Sequence, residues 1–264
     1  MPLTHHHILK TRFNGVRAVR LTSDHSFSKH SHDEFGVGLI TEGGHRSASG
    51  RGMVEATQGS VITVTPGEIH DGAPIAGARR SWTMLYFEPS FVTNQIESAE
   101  FGATQNLEFR RPVFRAPQHR KCFERVLELA LAQDSAVSSL ESQEALSSLF
   151  SSFLRPQFGP SLSDGREVER VLQRIHDEPS AHHTLEELAQ TAGLSRYQTI
   201  RAVKRQTGFT PFAYIRQQRL NRARRLVLDG LPIASAAVEA GFSDQSHFTR
   251  AFKSAYGFTP GTLR

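Results

Sequence analysis

The sequence predicts an α+β chain of two domains: an N-terminal β-barrel or double-sheet jelly roll followed by two helices, then an all-α domain with two helix–turn–helix units. Three observations predict it. Short β-rich runs broken by turn clusters fill roughly the first 115 residues. An apolar period of three and four residues sets in after residue 118, and a stretch of about twenty residues occurs twice near the C-terminus, some fifty residues apart.

In the first region the runs "RAVRL", "FGVGLITEG", "SVITVTP" and "RSWTMLYFEP" are separated by clusters such as "SASGRG" and "DGAPIAG". Many short strands with frequent turns and no long helical pattern between them point to a barrel or jelly roll. From 118 to about 155, Phe123, Val126, Leu127, Ala130 and Leu131, then Leu140, Ala145, Leu146, Leu149, Phe150, Phe153 and Leu154, recur at helical spacing. Two amphipathic helices follow, and their apolar stripes need cover from the β domain or from a second copy of the chain. "RPQFGPSLSDGR", with two prolines and two glycines, is the expected linker. The boundaries are residues 1–155, a linker at 156–165, and a helical domain at 166–264.

In the helical domain "EVERVLQRIHDE" stops at Pro179, and "TLEELAQTAG" opens on a capping box, Thr184 with Glu187. Gly193 turns the chain into a second helix from about Ser195 to Gln206. A long helix runs from about Pro211 to Leu228, and "PIASAAVEAG" with "SDQSHFTRAFKSAY" repeats the short pair. Aligned on their ends, the two copies match Arg201 with Arg250, Ala202 with Ala251 and Lys204 with Lys253, and both finish on Gly-Phe-Thr-Pro. Small residues (Ala189, Ala192; Ala236, Ala237, Ala240) allow close helix crossing, and Gly193 and Gly241 supply a tight turn.

Bulk composition narrows the function classes. One cysteine, Cys122, excludes an internal disulfide and fits a reducing compartment. No apolar run approaches the roughly 20 residues of a membrane helix, and the N-terminus has no signal-peptide core, so a cytoplasmic location and no membrane partner are expected. His5-His6-His7 is expected to be a solvated tail rather than a metal site. The net charge of +5 is modest, yet from Arg196 to Arg225 there are nine Lys/Arg (Arg196, Arg201, Lys204, Arg205, Arg216, Arg219, Arg222, Arg224, Arg225) and no acid. Solvated helices ordinarily mix signs, whereas a single-sign field concentrates phosphate polyanions.

The second helix of each unit carries the chemistry. In "SRYQTIRAVKRQ" the core face is Thr199, Ala202 and Val203, which leaves Arg196, Tyr197, Gln198, Ile200, Arg201, Lys204 and Arg205 outward. In "SDQSHFTRAFKSAY" Phe248, Ala251 and Phe252 point in, while Gln245, Ser246, His247, Thr249 and Arg250 point out. Arginine reaches guanine O6 and N7, glutamine reads adenine, and short hydroxyls reach bases or phosphates. A helix of this width fits the major groove. The bland alternative is a helical domain that binds an acidic protein or nothing.

These residues resemble the DNA-binding domain of the AraC/XylS transcription regulators. The resemblance rests on Ile233-Ala234, Gly241-Phe242-Ser243-Asp244, Phe248, Arg250, Phe252-Lys253 and Gly257 through Pro260, and spans about 100 residues. It implies two helix–turn–helix units on one long helix, with recognition helices in successive major-groove segments. It places base or backbone contacts on Arg196, Tyr197, Ile200 and Arg201, then on Gln245, Ser246, Thr249 and Arg250. His247 joins them as an outward residue, with Lys204 and Arg205 on phosphates.

The stretches "FSKHSHDEFGVGLITEGG" and "GSVITVTPGEIHDG" resemble the cupin-like sensor domain that precedes this DNA-binding domain in many family members. The resemblance implies a small-molecule effector. His30-x-His32 with Glu34, and His70 after Pro66-Gly67, is also similar to the metal motif of cupin enzymes, although Glu34 follows His32 by two where those enzymes leave four or five. On a strand His30 and His32 point the same way. Three readings stand: a ligand pocket without metal, histidines hydrogen-bonding in the rim, and a metal site. We assign no metal, cofactor or catalytic residue here. Trp82, Met84 and Tyr86 alternate on one strand face, as pocket floor or as core, and Arg46 is a candidate partner for an acidic ligand. The expected protein is a ligand-responsive, sequence-specific DNA-binding regulator. Its expected partners are duplex DNA, a small-molecule effector, a second copy of the chain and RNA polymerase. The rival is a metal-dependent cupin enzyme, an isomerase or dioxygenase, with a helical appendage.

Overall fold

The computed structural model describes residues 4–49, 51–96, 107–133, 139–156 and 166–263. The chain divides into two compact units, Met1–Phe158 and Gly159–Arg264.

The first unit holds two larger antiparallel sheets and a two-stranded ribbon. Strands β1 (Thr4–Leu9), β2 (Val16–Ser23), β9 (Arg80–Phe87), β4 (Phe35–Glu42), β7 (Val61–Val64) and β11 (Val113–Phe114) pair in that order. The second sheet runs β3 (Phe27–His30), β8 (His70–Pro74), β5 (Gly44–Ser49), β6 (Gly52–Thr57). Trp82 of β9 meets Phe27 of β3 and His45 of β5, each at 5.9 Å between ring centroids, so the sheets face each other. The two are separate hydrogen-bonded sheets, and the jelly-roll form of the expectation is the one observed.

Strand parity decides what each face does. Val37, Leu39, Leu85 and Phe87 point away from the second sheet and form one core with α2 (Pro117–Leu131) and α3 (Ser139–Phe153), through Phe123, Val126, Ala130, Leu146, Leu149, Phe150 and Phe153. Gly36 and Gly38 alternate with Val37 and Leu39 and leave room for Met84 and Tyr86. A Cβ on Gly38 would run into the Met84 sulfur and lie 2.9 Å from the Thr83 carbonyl.

Four local expectations need correction. Apart from exposed Leu140, the apolar stripes of α2 and α3 pack on the chain's own sheet, so that packing does not argue for a homodimer. His5-His6-His7 is no tail: it lies in β1, paired with Thr22, Leu21 and Arg20 of β2, with His5 and His7 exposed. A helix, α1 (Pro89–Ile96), interrupts the all-strand region, buries Val92 and starts at a proline whose missing N–H costs nothing in a first turn. Leu154–Pro156, expected to end a helix and begin the linker, forms strand β12 against β10 (Leu107–Phe109). The rest of the linker lies outside the described residues.

The second unit is helical: α4 (Arg166–Asp177), α5 (Leu185–Ala192), α6 (Arg196–Thr207), α7 (Pro211–Leu228), α8 (Ile233–Glu239), α9 (Gln245–Tyr256) and a closing 3-10 turn, Pro260–Leu263. Side chains cap the starts. Thr184 accepts from the Glu187 N–H within the expected capping box, and Ser195 with Gln198 forms a second box. Thr210 caps α7, and Asp244 caps α9. Two cores result. Val168, Val171, Leu172, Ile175, Leu188, Ala192, Val203 and Ile215 fill the first; Leu220, Ala223, Val227, Ala236, Ala237, Ala240, Phe242, Phe248 and Phe252 fill the second. The long helix α7 contributes to both.

The turn glycines of the two helix pairs are not equivalent. Gly193 (φ 66°) has open space where a Cβ would stand, whereas at Gly241 (φ 88°) a Cβ would lie 2.9 Å from Ser180 Cα and 3.0 Å from Arg219 Nε. Gly193→Ala should therefore cost about 1–2 kcal/mol, the left-handed backbone alone. Gly241→Ala adds overpacking and should cost at least about 3 kcal/mol. Denaturant melts of the two variants check the ordering.

Candidate nucleic-acid interface and sensor interior

In the first helix pair, α6 buries Thr199 and Val203 and half-buries Ala202. Its exposed face presents Arg196, Tyr197, Gln198, Arg201, Lys204 and Arg205, with Ile200 half-buried. Tyr197 is 68% exposed and lies under the Arg201 guanidinium, 5.7 Å from ring centroid to carbon, which props that arginine at the helix surface. Arg196 pairs with Glu186 across the turn at 3.3 Å, an exposed contact of little energetic weight. Gln198 is occupied by the cap, accepting from the Ser195 N–H at 2.9 Å.

In the second pair, α9 buries Phe248, Phe252, Ala255 and Tyr256. Gln245, Ser246, His247 and Arg250 are exposed, and Thr249 is half-buried. Asp244 accepts from the His247 N–H at 2.7 Å, and this backbone hydrogen bond holds its carboxyl below the usual range. The His247 side chain leans back: its Nδ1 lies 3.1 Å from Ser243 Oγ, and its ring rests edge-on against Phe242. It is exposed as expected, but its partners belong to the turn.

Both pairs are fixed to α7. Gln217 Nε2 donates to Asn221 Oδ1 at 2.8 Å, and Tyr256 OH donates to the same oxygen at 3.1 Å, a buried ladder tying α7 to α9. Arg219 donates to three backbone carbonyls, Pro179 (2.8 Å), Ala181 (3.0 Å) and Gly241 (2.8 Å). It thereby clamps the segment before α5 to the turn before α9. The acid-free run is thus not one continuous field. Arg219, Arg222 (3.4 Å from Glu239) and buried Arg224 are drawn into the fold, while Arg196, Arg201, Lys204, Arg205, Arg216 and Arg225 remain exposed.

In the sensor unit the structure brings His30, His32 and His70 together. His30 and His70 are directly opposite on β3 and β8, and the three ring centroids lie 4.5–5.3 Å apart. Burial lowers the His70 pKa, partly offset by its bond to the Glu68 carbonyl. Glu34 stands beside them but forms an ion pair with Arg17 at 3.0 Å. Arg17 in turn lies 4.6 Å from the Tyr86 ring, and Tyr86 is 5.3 Å from His32. Trp82 faces the second sheet, so its stripe belongs to the inter-sheet space. Arg46 does not: it points outward and pairs with Glu55 at 2.8 Å on the exposed face. Its neighbour His45 is the residue of β5 turned inward, its ring 5.9 Å from Trp82.

Two interior residues were missed. Arg80 is 0% exposed, with its guanidinium 5.2 Å from the Phe27 ring and 5.1 Å from Trp82. Its Nη2 donates to the His25 and Gly72 carbonyls at 3.1 and 3.3 Å, while Nε and Nη1 have no hydrogen-bond partner among the described residues. Burial lowers its pKa to about 10, so it stays cationic at neutral pH. His45 is driven to about 3, first by burial, then by Arg80 and His70. The signal for Arg80 was present in the sequence: it shares period two with Trp82, Met84 and Tyr86.

Two helix–turn–helix pairs on one connecting helix, in a chain that also holds a jelly roll with a polar interior, define a DNA-binding protein with a sensor domain. Comparison with known proteins carries this further. Residues 15–150 match the AraC-like ligand binding domain profile, and residues 188–264 match a helix-turn-helix domain profile. The HTH-type transcriptional regulator YbfI of Bacillus subtilis is 25% identical over 255 residues, 92% of this chain and 86% of that protein. The transcriptional activator RhaS of Pectobacterium carotovorum is 27% identical over 252 residues, 92% and 89% of the two chains. The crystal structure of ToxT from Vibrio cholerae shares the fold with a TM-score of 0.59 at 12% identity, covering 99% of this chain and 96% of that one. The chain belongs to the AraC family of transcriptional regulators, with an N-terminal ligand-binding domain and a C-terminal helix–turn–helix DNA-binding domain.

The division between clamp and surface arginines is measurable. Arg219→Ala strips three carbonyls of a charged donor and should cost roughly 2–4 kcal/mol in a denaturant melt. Arg201→Ala removes an exposed side chain and should leave the melt within about 0.5 kcal/mol of wild type.

Proposed function

We propose that this regulator reads duplex DNA by laying α6 and α9 into successive major-groove segments. One observation carries the reading: both helices turn a face of arginine, amide, hydroxyl and aromatic groups outward while their other face is cored onto α7. Arg196, Tyr197, Ile200 and Arg201 contact the first segment; Gln245, Ser246, Thr249 and Arg250 contact the second. Lys204 and Arg205 sit toward the far end of α6 and hold phosphates. His247, bonded to Ser243, acts by shaping the entry to α9. An α-helix of 18 residues is about 27 Å long, the same order as the roughly 34 Å helical repeat of B-DNA, so α7 has the length to present two helices to one face of the duplex.

In the sensor unit we place the effector in the inter-sheet interior, against Trp82, Tyr86 and the histidines. Arg80, a buried cation with two unpartnered donors, favours an effector carrying an oxyanion or several hydroxyls, since an unmet buried donor is costly. Glu34 serves there through Arg17, and Arg46 takes no part. Binding alters occupancy of DNA only by favouring one of two states of the protein. The relatives named above are regulators, which supports regulation in the cytoplasm rather than catalysis.

Arg201→Ala and Arg250→Ala should each weaken binding to a selected operator by about 1–3 kcal/mol, with the loss depending on the base at the contacted position. Lys204→Ala should weaken all sequences alike and lower the salt slope by about one. Titrations over a set of single-base operator variants at two salt concentrations separate the classes. Uniform losses for Arg201 and Arg250 would reassign them to the phosphate backbone.

A further inference from the structure

The three sensor histidines do more than share a corner of the jelly roll. One ring nitrogen from each lies within 4.8 Å of the other two. His30 and His32 are only 5% and 7% exposed, and His70 is half-buried. His30 Nδ1 lies 2.7 Å from the Ser28 carbonyl, and His70 Nδ1 lies 3.0 Å from the Glu68 carbonyl, in each case the carbonyl two residues earlier. A carbonyl oxygen only accepts, so Nδ1 carries a proton on both rings, and in the neutral ring that leaves Nε2 as the lone-pair nitrogen. One ring nitrogen donating to a backbone carbonyl, which leaves the other for a ligand, is how imidazole is oriented at metal sites.

The surroundings set the class of ion. Neighbouring carboxylates are engaged elsewhere: Glu34 with Arg17, Glu68 with the Thr65 N–H at 3.2 Å, and Asp71 with the Ala48 N–H at 2.7 Å. What converges among the described residues is imidazole nitrogen from three histidines. That donor set suits zinc and its first-row neighbours and discriminates against magnesium and calcium, which require oxygen. Tetrahedral coordination at about 2.0–2.1 Å brings ligand nitrogens to about 3.3 Å from one another. The present spacing closes to that by side-chain movements of about 1 Å.

We propose that His30, His32 and His70 bind one divalent first-row transition-metal ion of the zinc class in the sensor domain, with a coordination position left open for water or for an oxygen of the effector. This goes beyond the DNA-reading assignment and does not depend on it. With three protein ligands, the ion offers a small-molecule oxygen a Lewis-acidic anchor inside the sensor domain.

The test uses the full chain with the exposed His5 and His7 of β1 replaced by threonine, so that a surface pair on one strand does not contribute. After chelator treatment and dialysis, this protein is titrated with Zn2+ against a chromophoric competitor, and with Co2+ followed by visible absorption. We expect one ion per chain, ligand-field bands for Co2+, and a rise in melting temperature with Zn2+ that equimolar Mg2+ does not produce. His30→Gln and His70→Gln, checked for native circular dichroism, should lose more affinity than the roughly 10–100-fold typical of removing an outer-shell partner. His176→Asn, an exposed histidine of α4 in the second unit, should bind as the parent does. The proposal is overturned if the parent takes up clearly less than one ion per chain or responds equally to Mg2+. It is overturned as well if a folded His30 or His70 variant binds as tightly as the parent. The parent's stoichiometry is decisive by itself, so a variant that fails to fold does not shield the proposal from refutation.

Discussion

The DNA-binding half depends on α7 being one unbroken rod. Each helix pair builds its core on a different stretch of it, Ile215 serving the first and Leu220, Ala223 and Val227 the second. A helix of this length has no soft joint without a proline, glycine or inserted side chain, and its interior contains none of the first two. Displacement of α6 relative to α9 must therefore break a core or bend a helix. The buried Gln217–Asn221–Tyr256 ladder adds directionality, because polar groups out of water tolerate few alternative pairings. Arg219 closes the arrangement from outside by holding carbonyls from both pairs at once. The outward faces of α6 and α9 are thus presented at a separation set by the fold, and a partner that engages both faces meets little ordering cost.

A different constraint governs the sensor half: β9 is buried on both faces. Leu85 and Phe87 pack toward α2 and α3, with Phe87 edge-on to Phe150 at 5.3 Å. Arg80, Trp82, Met84 and Tyr86 face the second sheet. Period-two alternation lets one strand belong to a hydrophobic core and to a polar, aromatic interior at the same time, and it makes register unforgiving. The glycines of β4 are part of the same geometry, since Gly36 and Gly38 are the positions over which Met84 and Tyr86 lie.

Much of this was legible in the sequence where the signal is local or periodic. The helical punctuation, the Thr184–Glu187 box, and the inward and outward faces of α6 and α9 follow from spacing and cap chemistry. His30, His32 and His70 do converge, but His32 lies past the end of β3, so the strand face expected to align it with His30 is not what brings them together. What escaped needed three-dimensional partners. A run of basic residues looks the same whether an arginine meets solvent or three carbonyls, so Arg219 was counted with the surface field. Arg46 and His45 differ by one position and therefore by a whole sheet face, and nothing in "GGHRSAS" marks which one turns in. The strand containing His5-His6-His7 is stabilised by pairing with β2 rather than by its own propensity, and β12 likewise exists only because β10 is there to pair with it.

Arginine chemistry and strand parity together suggest how a signal would start. A ligand in the sensor interior touches the inner face of β9, where Arg80 and Trp82 lie, while the outer face of the same strand carries Leu85 and Phe87 into the core of α2 and α3. Close-packed interiors do not deform smoothly; they hold one arrangement or switch to another. If neutralising Arg80 or filling the histidine corner shifts β9, the helices on its other side must repack. If β9 does not shift, occupancy of the interior has no mechanical route to those helices through this strand. Any response to effector is then limited by how differently the two arrangements bind it, and a ligand equally at home in both changes nothing however tightly it is held.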